Sequence, residues 1–241
     1  MRSTWMIAAL AFVAGCSQKQ AETATAAATT ADSGMKMAAD TGMHSGGMSH
    51  DADQATGGTG VPAGYVGITD HPDAKIADAK YTPKGGQWEV LTGPAHLLYA
   101  AKDSGSGGYA VTATIEQLAK PAHPEAYGLF FGGSALDNPS TEKYGYFLVR
   151  GSGEYLIKAR DGAKTKDVVA WKASPDVPTQ DAAGKAKYVL LVHFAPDTAH
   201  FTVNGKLIAA VPRSELPTTG IFGLRINHNL HLLVTPPTLS H

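Results

Sequence analysis

Cysteine is almost absent from this chain of 241 residues, since Cys16 is the only one. A single cysteine excludes an intramolecular disulfide framework and any zinc or iron–sulfur site built from several cysteines. The formal net charge of −1 removes the electrostatic basis for binding nucleic acid, which requires a basic surface. Methionine is absent beyond Met48 and proline is absent before Pro62, so the chain consists of parts with different compositions.

Long hydrophobic runs are absent as well. The apolar run Trp5–Ala14 has ten residues, whereas a helix that crosses a bilayer needs about 20. The run follows Arg2 and has the length of the apolar region of a secretory signal peptide. It ends in Val-Ala-Gly-Cys at residues 13–16, which resembles the lipobox of bacterial lipoproteins. The resemblance implies a lipoprotein signal peptide over residues 1–15 and acyl chains on Cys16. The alternative is an ordinary signal peptide with a chance cysteine.

The same segment predicts the location of the protein. Acyl chains contribute about 0.8 kcal/mol for each buried methylene, so several chains would anchor the protein to a membrane without spanning it. Ser17 follows the cysteine, and in Gram-negative lipoproteins a residue other than aspartate at that position implies the outer membrane. We therefore expect a lipid-anchored protein of the cell envelope, with the membrane as a partner, and the outer membrane if the host is Gram-negative.

The segment that follows, residues 16–60, is predicted to be a disordered tether. Residues 17–60 contain no aromatic residue, Leu, Ile or Val, and 28 of these 44 residues are Ala, Thr, Gly or Ser. Such a segment buries too little apolar surface to offset the entropy lost on ordering.

One stretch of the tether concentrates soft metal ligands. It contains Met35, Met37, Met43, His44, Met48 and His50. Thioether and imidazole groups suit copper, and the stretch resembles the Met/His-rich segments of bacterial copper-handling proteins. The interpretations are a copper site or compositional drift in a linker. No other cofactor is predicted.

The remaining residues, 61–241, are predicted to form one all-β domain. Helical periodicity is scarce, and short β-rich runs alternate with Gly, Pro, Asp and Asn. The twelve predicted strands are Gln87–Leu91, His96–Ala101, Tyr109–Gln117, Ala126–Gly132, Tyr144–Arg150, Glu154–Arg160, Asp167–Lys172, Lys187–Phe194, His200–Val203, Lys206–Val211, Gly220–Asn227 and Leu230–Val234. Turn signals about every ten residues favour an antiparallel β-sandwich or jelly roll. Asn204-Gly205 is the strongest hairpin signal, and Pro236-Pro237 is predicted to end the fold.

Four strand sequences carry a resemblance to a known superfamily. They are Gly145–Arg150 (GYFLVR), Tyr155–Lys158 (YLIK), Phe201–Ile208 (FTVNGKLI) and Gly220–Arg225 (GIFGLR). Their order resembles the concanavalin A-like lectin/glucanase superfamily, especially laminin-G-like domains and the bacterial 3-keto-disaccharide hydrolase family, over about Gln87 to Val234. The resemblance implies a lectin-like sandwich, and its motifs specify a fold better than an activity.

No catalytic residue is predicted. Retaining glucanases of this superfamily carry Glu-x-Asp-x-Glu or Glu-x-Asp-x-x-Glu on one strand, which places two carboxylates on the same sheet face. No glutamate of this chain has an aspartate two positions later. The sequence also lacks a Gly-x-Ser-x-Gly nucleophile elbow. The missing motif is strong evidence against the mechanism of these glucanases, although the resemblance leaves another kind of sugar hydrolysis open.

A binding surface is predicted on the hairpin of residues 144–160. Strand alternation places aromatic and cationic residues on one face and Phe147 and Val149 on the other. The ligand-binding candidates are Tyr144, Tyr146, Arg150, Lys158 and Arg160. Tyrosine rings stack on sugars and arginine forks onto carboxylates or pairs of hydroxyls. The alternative is a solvated outer face on which long side chains cover the tyrosine rings.

Asn227 and His228 are further ligand-binding candidates, because the segment Asn-His-Asn-Leu-His at 227–231 spans the end of one predicted strand and the start of the next. Its two histidines could meet a ligand at the rim of the sheet, and the alternative is a polar turn in which asparagine tolerates left-handed geometry. The leading hypothesis is a lipid-anchored lectin-like protein that binds carbohydrate. The alternatives are a sugar-active hydrolase of the 3-keto-disaccharide type and a copper-binding lipoprotein that uses the tether.

Overall fold

The computed structural model describes residues 57–241, which belong to one compact unit. The predicted signal peptide, the lipidation site Cys16 and the Met35–His50 stretch lie outside the described residues. Sixteen strands and two short 3-10 turns, Ile76–Asp78 and Arg213–Glu215, make up the secondary structure of the described part.

In chain order the strands are β1 (Val66–Thr69), β2 (Lys80–Lys84), β3 (Gln87–Leu91), β4 (His96–Tyr99), β5 (Ser104–Gly105), β6 (Tyr109–Gln117), β7 (Ala126–Ser134), β8 (Lys143–Arg150), β9 (Glu154–Asp161), β10 (Lys164–Ala173), β11 (Ala186–Phe194), β12 (Thr198–Val203), β13 (Lys206–Pro212), β14 (Gly220–Ile226), β15 (His231–Val234) and β16 (Thr238–Ser240).

The strands form two antiparallel sheets that pack as a sandwich. The front sheet has the order β1-β4-β14-β7-β8-β9-β10, with β5 beside β14. The back sheet has the order β13-β12-β11-β6-β15-β3-β2, with β16 beside β6. The all-β sandwich expected from the sequence is therefore confirmed. Within residues 57–241, no helix is long and apolar enough to span a membrane.

Aromatic side chains from both sheets fill the space between them. Phe147 of the front sheet and Phe201 of the back sheet are fully buried, with ring centroids 5.3 Å apart. Phe131 and Phe194 make a similar contact at 5.1 Å. At the border of this core, the Tyr155 hydroxyl of β9 donates a hydrogen bond of 2.9 Å to the Ile208 carbonyl of β13. Edge-to-face contacts of this kind add to the stabilisation from burial, so the aromatic residues join the two sheets.

The β12–β13 hairpin follows the sequence signal. Asn204 and Gly205 both have positive φ, 49° and 77°, as a two-residue type I′ turn requires. The Asn204 side chain also accepts a hydrogen bond of 2.7 Å from the Val189 amide of the neighbouring strand. The turn therefore closes one hairpin and also fixes it to β11.

Each of the twelve predicted runs contains a strand, but four strands were not predicted: β1, β2, β5 and β16. The prediction that Pro236-Pro237 ends the fold is wrong. The two prolines bridge β15 and β16, and both of these strands pair with β6. Proline cannot donate to the ladder, but the chain resumes pairing with Thr238 opposite Thr112 once the prolines are passed.

Candidate functional site

The outer face of the front sheet carries a second apolar cluster, separate from the core. It is built from side chains that alternate with the core residues along the strands. The buried members are Leu97, Ala126, Phe130, Leu136, Tyr144, Tyr146, Leu148 and Leu156. On β8 the structure therefore places Tyr144 and Tyr146 on the outer face and Phe147 in the core, as strand alternation predicted. Both tyrosines are buried rather than solvated, with 2% and 7% of their surface exposed.

Arg225 of β14 lies at the centre of the polar groups on this face. Its guanidinium forms two hydrogen bonds with the Asp70 carboxylate, at 2.8 and 2.6 Å. The same guanidinium lies 4.9 Å from the centre of the Tyr146 ring and 3.5 Å from the Tyr144 hydroxyl. Gly128, the β7 residue opposite Arg225, has no side chain to cover this position. The bidentate contact and the ring contact together fix the guanidinium over the aromatic residues.

A second ion pair joins Arg160 of β9 to Glu142. The Arg160 Nε atom is 2.7 Å from the Glu142 Oε1 atom, and only 6% of Glu142 is exposed. Burial raises the pKa of the Glu142 carboxyl, and the negative charge of Asp70 adds to this rise, against the opposing charges of Arg160 and Arg225.

The pKa of Asp70 moves in the other direction. Burial alone would raise the pKa of this carboxyl, but the charge and hydrogen bonds of Arg225 outweigh burial and lower it. The outer face therefore holds two carboxyl groups that differ in proton affinity because their environments differ.

Arg150, at the end of β8, connects the outer face to the edge of the sandwich. Its guanidinium lies over the Trp171 ring, 4.1 Å from the ring centre. It also pairs with Glu154 at 2.8 Å, and Glu154 accepts a further hydrogen bond from Ser152. Lys158 makes an ion pair of 3.3 Å with Asp167 across β9 and β10. The cationic candidates predicted from the sequence are thus held in ion pairs.

A pocket of about 280 Å³ opens beside Arg150 at this edge. Its polar lining includes His123, Glu125, Arg150, Ser152 and Gln180. We call it the rim pocket. A smaller cavity of about 170 Å³ lies on the other side of Lys120 and Pro121 and is lined in part by Asn229 and His231. Two neighbouring depressions therefore lie along the end of the sandwich.

The predicted rim residues adjoin the rim pocket. The His228 Nε2 atom is 3.3 Å from the Glu125 Oε1 atom. The backbone N–H of Asn227 donates a hydrogen bond of 3.0 Å to the Ala126 carbonyl. Asn229 has a φ of 56°, which is the left-handed geometry expected for a polar turn. Within residues 57–241, Asn227 Oδ1 and Asn229 Nδ2 are buried without a hydrogen-bond partner. Such groups are rare in folded proteins and are satisfied by water, an ion or a ligand.

The structure thus brings the seven predicted ligand-binding residues to one sheet and its rim, and it adds residues that the sequence did not single out. The sequence did not indicate Asp70 or Glu142 as site residues. Arg225 appeared only within the Gly220–Arg225 motif, which concerned the fold. Asp70 and Arg225 are 155 positions apart in the chain, so no local pattern joins them. The buried acid Glu142 carries no local signal either. In the part of the chain that the structure describes, no group of three or more His, Cys, Asp or Glu residues could hold a metal ion.

No family model matches the chain, and no curated protein matches it in sequence. Solved structures do match its fold. The carbohydrate-binding module CBM66 from Bacillus subtilis aligns with a TM-score of 0.54 at 12% identity, over 74% of this chain and 96% of the module. A Bacillus subtilis protein of unknown function with a galectin-like fold aligns with a TM-score of 0.55 at 12% identity, over 73% of this chain and 88% of that one.

The domain has a galectin-like jelly-roll fold. A third similar structure is the GlcNAcα1-4Gal-releasing endo-β-galactosidase from Clostridium perfringens, with a TM-score of 0.50 at 10% identity, over 76% of this chain and 60% of the enzyme. At such low identities the similarity concerns the fold of this jelly roll, and function has to be argued from its own residues.

Proposed function

We propose that this protein binds glycans at the cell envelope, through the outer face of the front sheet and the adjoining rim pocket. The observation that carries the proposal is the position of Arg150. Its guanidinium stacks on Trp171, and the residue also lines the rim pocket with Glu125 and Gln180. One side chain thus joins an aromatic surface to a polar cavity, which is the combination that sugar recognition uses: ring faces for the C–H groups and charged forks for the hydroxyls.

The size and polarity of the rim pocket support a small polar ligand. Its volume of about 280 Å³ is near the lower limit of ligand pockets, which span about 300–1,000 Å³. A single sugar unit suits such a volume better than a large cofactor. Asn229 lines the smaller cavity next to the rim pocket, and its Nδ2 atom, which has no hydrogen-bond partner among the described residues, is a further group that a hydroxyl could satisfy.

The names of two structures with this fold are consistent with the proposal. One is a carbohydrate-binding module and the other is an endo-β-galactosidase. These names describe those proteins, and the same fold supports several functions. The argument for this chain therefore depends on Arg150 and its surroundings.

Arg150→Ala is the direct test of glycan binding. A charge-assisted hydrogen bond is worth about 1.5–3 kcal/mol, so the variant should bind its glycan roughly ten- to a hundredfold more weakly. A printed glycan array would identify the ligand, and isothermal titration would then measure its affinity for both proteins.

Lys143→Ala is the control for Arg150→Ala. Lys143 lies at the start of the same strand, and its ion pair with Asp161 is exposed. This variant should retain full affinity. If Arg150→Ala binds as tightly as the wild type, or if no glycan binds the wild type, the proposed site is wrong.

We also propose that acyl chains on Cys16 attach the protein to the membrane. Cys16→Ser should release the protein from the membrane fraction or block its processing, because the lipid would be its attachment. Fractionation followed by immunoblotting measures this directly. Unchanged membrane partition of the variant would contradict the lipoprotein interpretation.

Hydrolysis of a sugar is a second candidate function, favoured by one observation. The pKa of Glu142 is raised while that of Asp70, which interacts with it electrostatically, is lowered. A carboxyl with a raised pKa can act as a general acid beside one that stays ionised, and here the two come from separate parts of the fold rather than from the single-strand motif that the sequence lacks. Incubating the glycans found on the array, together with plain and oxidised disaccharides, and analysing the products by mass spectrometry would separate the two functions. Product release favours the 3-keto-disaccharide hydrolase type, and intact glycans favour binding alone.

A further inference from the structure

Two histidines face each other on the outer surface of the back sheet, on the opposite side of the sandwich from the proposed glycan site. His193 of β11 and His200 of β12 are paired in register. Their rings lie 5.8 Å apart between centroids, and the ring planes differ by only 17°. Residues 195–197 connect the two strands, and the Ala195 backbone amide donates a hydrogen bond of 2.9 Å to the Thr198 carbonyl across this turn.

The core fixes both imidazoles on the outside. Phe194 and Ala199, which neighbour the two histidines in the chain, are fully buried, and so are Val192 and Phe201. Because side chains alternate between the faces of a strand, both rings have to project outward. His193 is exposed and His200 is half-buried. Strands of a packed sheet hold side chains more firmly than loops do.

Small side chains flank the pair in the sheet. Ala110 of β6 lies opposite His193, and Ala210 of β13 lies opposite His200. Neither residue is large enough to lean over the rings. Within residues 57–241, neither imidazole takes part in a hydrogen bond or an ion pair, and the ring contact joins them only to each other. The ring nitrogens are therefore available to a ligand that two imidazoles share.

We propose that His193 and His200 form a bidentate site for a divalent transition-metal ion, with Cu²⁺ preferred. Imidazole nitrogens bind such ions at about 2.0–2.1 Å, so two nitrogens on one ion are at most about 4 Å apart. The rings reach this separation when each tilts towards the other, and the flanking alanines leave room for the tilt. Copper ranks above zinc for nitrogen ligands, and a tetragonal Cu²⁺ accepts two imidazoles with water at its remaining positions.

The pair should bind far more tightly than one imidazole does. Once the ion is bound to the first ring, the strand scaffold presents the second ring at a high effective concentration. Loss of either histidine should therefore weaken Cu²⁺ binding roughly a hundredfold, because the affinity gained from the second tethered imidazole is lost. The site is independent of glycan binding, because its residues belong to the other sheet.

The test is a titration of the full-length protein with Cu²⁺ alone. The parent protein carries His44→Ala and His50→Ala, which removes the imidazoles of the tether. Calorimetry should show one site that is lost in the further variants His193→Ala and His200→Ala, and electron paramagnetic resonance should show two coordinated imidazole nitrogens. His193→Phe keeps an aromatic ring that suits a strand, and it should lose the site without any change in melting temperature.

His71→Ala is the matched control, because it removes an exposed histidine that lies in a loop. It should keep the site and the two-nitrogen signal. The proposal is overturned if the parent binds no Cu²⁺, if the spectrum shows a single imidazole, or if the His193 and His200 variants bind as tightly as the parent.

Discussion

Phe147→Ala should lower the free energy of unfolding by about 3–5 kcal/mol, the range for truncating a buried phenylalanine. Phe147 is fully buried, and its ring contacts that of Phe201 across the two sheets. The truncation removes apolar contacts from both layers and leaves a cavity that the sheets cannot fill by moving, because the strands on each side are held by their ladders. Denaturation in urea, followed by tryptophan fluorescence, measures the change.

The same strand provides the control for Phe147→Ala. Lys143 is exposed and pairs only with the exposed Asp161, so Lys143→Ala should change the free energy of unfolding by no more than about 0.5 kcal/mol. Equal losses in the two variants would contradict the division of β8 into a core face and an outer face. An unchanged free energy of unfolding in Phe147→Ala would also contradict this division.

Arg225→Met should lower the free energy of unfolding by about 2–3 kcal/mol. Removal of one partner from a fully buried ion pair costs about 3–5 kcal/mol, and exposed pairs contribute about 0–1 kcal/mol. The side chains of Arg225 and Asp70 are 11% and 31% exposed, so the pair lies between these limits. Methionine retains most of the length of arginine, and the loss therefore reports the charge and its hydrogen bonds rather than a cavity.

A double-mutant cycle with Asp70→Asn isolates the contribution of the pair. The coupling energy should be about 1–2 kcal/mol, within the range measured for residues in direct contact. Additive losses in the double variant would show that Arg225 stabilises the fold through the tyrosines alone. Lys143→Met is the matched control for removing a surface cation, and its effect should be within about 0.5 kcal/mol.

The pH dependence of stability is an independent test of the contact between Asp70 and Arg225. Because the pKa of Asp70 is lowered in the folded state, its stabilising effect is complete above the ordinary carboxyl pKa of about 4 and is lost as the pH falls further. Glu142 acts in the opposite sense. The pKa of Glu142 is raised in the folded state. Its contribution to stability is therefore complete below the ordinary carboxyl pKa and is lost as the pH rises through the pKa of the folded state. Asp70→Asn should therefore flatten the acid side of the stability curve.

Most of the strands could be predicted from the sequence because their signals are local. Alternation identified the two faces of β8, and Asn204-Gly205 identified a hairpin from two residues. The unpredicted strands lack such signals. β2 contains Pro83 and lies at the edge of the back sheet, where a missing donor is tolerated. β5 has only two residues, which is too short for a periodicity to appear.

The candidate site was predictable only in part, for a reason of chain topology. Tyr144, Tyr146 and Arg150 belong to one strand, so their common face follows from spacing. Asp70 reaches that face from the end of β1, and Arg225 reaches it from β14, which lies between β4 and β7. The meeting of these residues depends on which strands pair, and a single sequence does not encode strand order in any local pattern.

The strand order also determines when the domain can form during synthesis. β14 lies in the interior of the front sheet, between β4 and β7, and β15 lies in the interior of the back sheet, between β6 and β3. Both strands come from residues 220–234, close to the carboxyl end of the chain. Neither sheet can close until residues 220–234 have been made, and the contacts that close the sheets span most of the domain. Formation of the sandwich therefore waits for residues 220–234, and contacts of such large sequence separation favour slow folding. Until then the nascent chain exposes the edges of β4, β7, β3 and β6, which are the surfaces most prone to pairing with another chain.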